Sequence, residues 1–248
     1  MANYKLGKLP HKYDKRTLQL AKYLNLSVLP TPPDEYQMKL PALSMLLNDQ
    51  LGDCAIASWL HMVQLWCFQN GITYNPTDAD ALSGYETQGY NPNDPNSDQG
   101  CVLLNVLNYA SKNGIAGHKA GIFAQVDYSK EDYVRIATWL FGGLYTGVQL
   151  PVAAQNEPDV WEITTSGLSG DGTPGSWGGH AVPTSGYNGT GLNIISWGKP
   201  LQMKWDWQYA YMDESWAIIS PDWISNPNKA PNGLDMQHLL DDYKLITA

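Results

Sequence analysis

From residue 53 onward the apolar positions fall into step with a helix. Ile56, Leu60, Val63 and Cys67 recur at a spacing near 3.6, Trp59 and Trp66 widen the apolar face, and Asn70-Gly71 closes the run. Gly52 permits a tight turn ahead of it and Asp53 is a good N-cap, so Cys54 is predicted as the first residue of a buried helix over 53–69. Leu103, Val106, Leu107 and Ala110 predict a second helix over 102–112, ended by Asn113-Gly114. Shorter helical patterns run from Asp78 to Tyr85 and, through Val134, Ala137, Thr138 and Phe141, from Ser129 to Phe141. Asp14 is placed to cap a further short helix, Lys15 to Leu24.

Beyond Ile122 the period shortens. Leu144 to Leu150 reads as a strand, and residues 180–197 as a β-hairpin turning at Asn188-Gly189. Pro183 weakens that hairpin slightly, because it has no N–H for a central ladder. Trp205 to Tyr211 and Trp216 to Ile219 read as strands that complete the β half, and six glycines between 165 and 179 predict a mobile loop ahead of His180. Leu29-Pro-Thr-Pro-Pro33 is a stiff linker, and the tail carries Pro227, Pro231 and a short helical stretch near 234–243. Helices first and strands second predict an α+β fold of two lobes with a cleft between them. The expected organisation is an arm and linker over 1–35, a main domain over 36–225 (helical lobe to about 120, antiparallel β lobe after it) and a tail over 226–248.

Composition narrows the partners. The net charge is −9, yet residues 1–22 hold six of the fifteen Lys and Arg against one of the twenty-four acids, so the body is strongly acidic. Such a body repels nucleic acid, and no basic stripe interleaved with aromatics occurs in it. No apolar run is long enough to predict a membrane span or a signal peptide, and three cysteines are too few for a disulfide framework. A reducing compartment is the expected home, the cytoplasm or, after release by lysis, a virus particle. No Cys-x-x-Cys, no His-Glu-x-x-His and no phosphate-cradling loop occurs, so no metal or cofactor is expected.

The candidate chemistry rests on two positions. A helix N-terminus carries partial positive charge and free N–H groups, which favour a thiolate at Cys54 and accept an oxyanion. His180 opens a strand behind a glycine-rich loop, where an imidazole can serve as the partner base. His61 lies two helical turns from Cys54, about 10 Å away and out of hydrogen-bond reach. His11, His118 and His238 lie in the arm, a loop and the tail. Cys101 precedes the 102–112 helix but has no histidine to serve it, and is read as a packing residue.

Leu51-Gly-Asp-Cys54-Ala, Gly179-His180-Ala-Val with Gly186-Tyr187, and Ile194-Ile-Ser-Trp-Gly198 together resemble the papain-like cysteine peptidases. Asp98-Gln-Gly-Cys101 looks like the segment that lines that family's substrate cleft, and Gly142 to Leu150 like its first long strand of the β lobe. The resemblance covers roughly residues 30–225. It implies Cys54 as nucleophile and His180 as base, an oxyanion donor from Gln50 (the favoured residue) or Asn48, and Trp197 as a shield over the imidazole. The asparagine that orients the family histidine falls here on Ile195, which has no polar side chain; Ser196 or Asn193 is the substitute.

The resemblance implies a thiol hydrolase that cleaves peptide or isopeptide bonds, acting on a peptide or protein substrate, with no nucleic acid or membrane partner and no assigned oligomeric state. The alternative is a catalytically idle module with a binding or structural role, in a virus particle or a larger assembly; Ile195 and the shifted glutamine favour it. Members of the family are often made with an inhibitory leader. Residues 1–12 are short for one and are expected to pack as a terminal strap, with passage across the cleft as the alternative.

Overall fold

The computed structural model describes residues 4–22 and 31–224. The tail helix, His238, and parts of the 15–24 helix and of the proline linker lie outside the described residues. Five helices and eight strands follow one another in the described chain: β1 (Tyr36–Gln37), α1 (Cys54–Gln69), α2 (Asp78–Glu86), α3 (Leu103–Lys112), β2 (Ile122–Gln125), α4 (Glu131–Phe141), β3 (Tyr145–Leu150), β4 (Val160–Trp161), β5 (Gly178–Tyr187), β6 (Gly191–Ser196), β7 (Lys199–Lys204), α5 (Trp205–Tyr211) and β8 (Met212–Ile219). The strands form one sheet in the order β2-β8-β3-β5-β6-β7-β4, with β1 added to β5. Every pairing is antiparallel except β4 with β7.

The sheet packs on α1, which has no solvent face between its ends: Cys54 to Cys67 are all buried. A helix apolar all round belongs in a core, and its few polar side chains then need partners. Four of them reach backbone carbonyls outside the helix, while Trp59 Nε1 has no partner. Ser58 Oγ donates to Ala181 O of β5 (2.8 Å), His61 Nε2 to Ser44 O (3.0 Å), Gln64 Nε2 to Ala42 O (3.0 Å) and Trp66 Nε1 to Gly142 O (2.7 Å). These bonds fix α1 against the strand that carries His180 and against the loop that leads to Cys54.

Residues 205–211 depart from the sequence expectation. They form the helix α5 and not a strand. Trp205, Trp207, Tyr209 and Tyr211 alternate along the chain as strand residues do, but the buried residues are Trp207, Gln208 and Tyr211, a helical stripe, while Tyr209 points to solvent. The strand of this region is β7, over 199–204. Asp14 accepts from Arg16 N at 2.9 Å, as a cap would, yet only a 3-10 turn over Leu20–Lys22 is described after it.

Burial holds His61 neutral: its pKa falls to about 4, desolvation being the cause and the bond to Ser44 O a smaller opposing effect. A folded-state pKa below the unfolded value near 6.5 stabilises the fold above pH 6.5 and loses that stabilisation as pH falls towards 4. We expect His61→Gln to flatten the dependence of unfolding free energy on pH between 6 and 4 by about 1.4 kcal/mol per unit, one proton's worth. Urea titrations at a series of pH values check this, and an unchanged slope would count against it.

Candidate active site

The first turn of α1 and the start of β5 meet at one place. Cys54 is fully buried at the head of α1, and the backbone amides of Ala181 and Gly7 lie against its sulfur, each favouring the thiolate. His180 is the residue before Ala181. It pairs with Val148 across β3 and β5 and is itself fully buried. Its Nε2 lies 2.9 Å from Ser196 Oγ at the end of β6, and its Nδ1 has no hydrogen-bond partner. Trp197 stacks on the ring at 4.4 Å between centroids and 15° between planes, and Trp161 meets it edge-on at 6.5 Å. To reach that position Trp197 takes a left-handed backbone, φ 47°, which a tryptophan seldom adopts.

The other candidates separate clearly. Asn193, proposed beside Ser196, turns away: its Nδ2 donates to Gln37 Oε1 (2.7 Å) and its Oδ1 accepts from Gln202 Nε2 (3.2 Å). Ile195 is buried. The turn before α1 passes through Leu46 and Leu47, both with positive φ, and leaves Asn48 buried with an unpartnered Oδ1 while Gln50 is exposed. His118 pairs with Asp222 at 3.0 Å. Those two and Cys67 bring potential ligand atoms within 4.8 Å of one another, a grouping of three distant segments that no sequence spacing reveals. It sits thirteen residues along α1 from Cys54, about 20 Å away.

The electrostatics reverse the expectation for the thiol. Burial pushes the Cys54 pKa up to about 12, against the smaller favourable effects of the two amides, and burial lowers His180 to about 3. Asp53 adds to this. It stands at the N-cap position but its side chain makes no cap bond, both carboxyl oxygens are buried without partners, and burial holds its pKa well above the usual carboxylate range. Burial thus favours the neutral form of both the thiol and the imidazole.

The dryness comes from the N-terminal arm, which the sequence left between two readings. The strap lies across the cleft. Leu9 N donates to Cys101 O (2.8 Å), Cys101 N to Gly7 O (2.7 Å) and Lys8 N to Gly179 O (3.1 Å), so residues 7–9 are held between the 98–101 segment and the start of β5. Glycines make room for it: a Cβ on Gly100 would stand 2.1 Å from Gly7 O, and one on Gly179 2.2 Å from Lys8 O. Tyr4 stacks on Trp197 at 4.3 Å, on the rim of a cavity of about 170 Å³ that Trp161 and Trp177 also line. Lys5 pairs with Asp98, whose Oδ1 also accepts from Gly52 N (2.9 Å) and Tyr85 Oη (2.7 Å). Partial burial raises the Asp98 pKa, but these donors outweigh it and hold the carboxyl below its usual value.

Solved structures share this architecture. Xylellain, a cysteine protease from Xylella fastidiosa, superposes with a TM-score of 0.67 at 14% identity over 87% of this chain and 96% of its own. Procathepsin B S9 from Trypanosoma congolense gives 0.57 at 12% identity over 88% and 86%, and the Carica candamarcensis cysteine protease CMS1MS2 gives 0.53 at 15% over 75% and 98%. No protein-family model and no curated protein sequence matches the chain. The fold is therefore that of the papain-like cysteine proteases, helices first and sheet second. Among the described residues no helix is long and apolar enough to cross a membrane.

A Cβ on Gly7 would stand 1.9 Å from Gly52 O, so Gly7→Val expels the arm from its track. We expect iodoacetamide to alkylate Cys54 at least about tenfold faster in Gly7→Val than in the unaltered chain at pH 8, where the raised pKa leaves little thiolate. Peptide mapping of the labelled cysteine measures it, and equal rates would show that the arm does not limit access.

Proposed function

We propose that the protein is a thiol hydrolase that cleaves peptide bonds and that the arm keeps it latent. The observation that carries this reading is the state of His180: one ring nitrogen is bonded to Ser196 and the other is unpartnered, one residue from the amide that lies against the Cys54 sulfur. Ser196 takes the place of the missing asparagine as a positioning residue. With Nε2–H donating to Ser196 Oγ, Nδ1 keeps its lone pair and accepts the Cys54 proton.

The thiolate then adds to the substrate carbonyl carbon. The Cys54 N–H and a side-chain amide stabilise the oxyanion, and the buried Asn48 suits that second role better than the exposed Gln50. The carbon–nitrogen bond breaks as His180 returns the proton to the departing amine. Water, deprotonated by the same imidazole, hydrolyses the thioester and releases a carboxylic acid and the free thiol. Trp197 and Trp161 keep bulk water off the His180–Ser196 bond. The cysteine proteases that share the fold support a peptide or protein substrate.

The unpartnered Asp53, its pKa raised by burial, and the raised thiol favour a second reading, an idle module. Full-length Gly7→Val separates the two. As a hydrolase it turns over fluorogenic peptides, and adding Cys54→Ala abolishes both turnover and labelling by a thiol-directed electrophile. In the same background Ser196→Ala is expected to lower kcat/KM about a hundredfold and to shift the acidic limb of its pH profile, and Ser196→Asn to restore most of both. Equal labelling after Cys54→Ala, or an unshifted limb after Ser196→Ala, would overturn the corresponding assignment.

A further inference from the structure

The far end of α1 carries a second group of chemically able side chains, remote from Cys54. Among the described residues Cys67, His118 and Asp222 bring potential ligand atoms within 4.8 Å of one another, and His118 Nδ1 lies 3.0 Å from Asp222 Oδ2. They come from the last turn of α1, the loop after α3 and the segment after β8. The sequence predicts no metal because no two of the three lie close in the chain; the fold alone assembles the set. Ligands of a tetrahedral zinc ion, about 2.0 to 2.3 Å from the metal, stand roughly 3.3 to 3.7 Å from one another, so the group closes on an ion by about 1 Å at its widest.

The three segments are tied together without an ion. Ser220 Oγ lies 3.2 Å from Lys119 O, next to His118, and 3.2 Å from Asp222 Oδ2, and it accepts from Asp222 N at 3.1 Å. Asn70 Nδ2, just beyond Cys67, donates to Asp222 O at 2.6 Å. His118 closes a tight turn with Ile115, each N–H donating to the other's carbonyl at 2.9 and 3.0 Å. Cys67 is buried, while the side chains of His118 and Asp222 are each 21% exposed, which gives an ion a way in from the surface. A separate observation points to a ligand here. The ring of Tyr74 packs on His118 at 4.4 Å between centroids, and its buried hydroxyl has no hydrogen-bond partner. Such an orphaned group calls for an explanation, and an ion or its bound water is one.

The donor set selects the ion. Thiolate and imidazole are poor ligands for magnesium and calcium, which take oxygen, and good ones for zinc. One thiolate, one carboxylate and one neutral imidazole also balance the charge of a divalent cation.

We propose that Cys67, His118 and Asp222 form a zinc(II) site that clamps the end of α1 to the loop after α3 and the segment after β8, with a water as fourth ligand and Tyr74 as that water's hydrogen-bond partner. Binding releases the Cys67 proton to solvent and replaces the His118–Asp222 hydrogen bond with two bonds to the metal. The site takes no part in the chemistry at Cys54, so it stands or falls separately from the hydrolase reading.

The test uses the untagged full chain carrying Cys54→Ala, which removes the other thiol–imidazole pair, after exhaustive chelation. Cobalt(II), a spectroscopic substitute for zinc, is expected to bind at a single equivalent with the visible bands of a tetrahedral ion and a near-ultraviolet thiolate-to-cobalt band. Equimolar zinc erases both, and Cys67→Ser removes the thiolate band. Because that change alters a core position, the partly exposed His118→Gln serves beside it and is expected to weaken cobalt binding at least about a hundredfold. Zinc at a hundredfold excess over its dissociation constant is expected to raise Tm by at least about 5 °C, and magnesium to leave it unmoved. A cobalt complex without the thiolate band, undiminished affinity in His118→Gln, or equal Tm values in zinc and magnesium would overturn the proposal and leave Cys67 a packing residue beside a surface ion pair.

Discussion

A helix with no solvent face sets the conditions for everything else. Because α1 is buried over its first fourteen residues, its N-terminal sulfur cannot lie at an ordinary surface, and its polar side chains must reach carbonyls on the segments that surround it. Those bonds tie β5 to α1, so His180 and Cys54 share one seam although they are far apart in the chain. The same burial that positions the pair removes its water. Desolvation then outweighs the helix terminus and sets both groups neutral, which is why the thiol rises where its position on the helix alone would lower it.

Much of this was legible as periodicity. α1, α3, β3 and the β5–β6 hairpin each carry a long enough apolar pattern to specify type and approximate extent, and Cys54 and His180 stand out because each lies at or near the start of its element, one or two residues after a glycine. α5 was misread because alternating aromatics satisfy a strand template, whereas the face that is buried is the helical stripe of Trp207, Gln208 and Tyr211. Local pattern also cannot rank Gln50 against Asn48. That depends on a turn through two left-handed leucines, a conformation imposed by the surrounding structure and not by leucine itself.

The path of the arm was illegible for a different reason. It depends on close approach of the Gly7 and Lys8 carbonyls to Gly100 and Gly179, and on Lys8 meeting two acids more than two hundred residues away. Neither leaves a local trace beyond a basic N-terminus. Ser196 was visible only as one of two substitutes for a missing amide. What chose it over Asn193 was the set of hydrogen bonds that Asn193 makes with Gln37 and Gln202 on the other side of the strand.

The strap that crosses the cleft is part of the same molecule, and this gives its occlusion an unusual character. A tethered segment competes at an effective concentration on the order of millimolar, set by chain length and not by how much protein is present. Dilution therefore leaves the cleft closed. A peptide in solution displaces the strap only by matching that local concentration with its own affinity, so weak ligands are screened out before any chemistry is asked of the thiol.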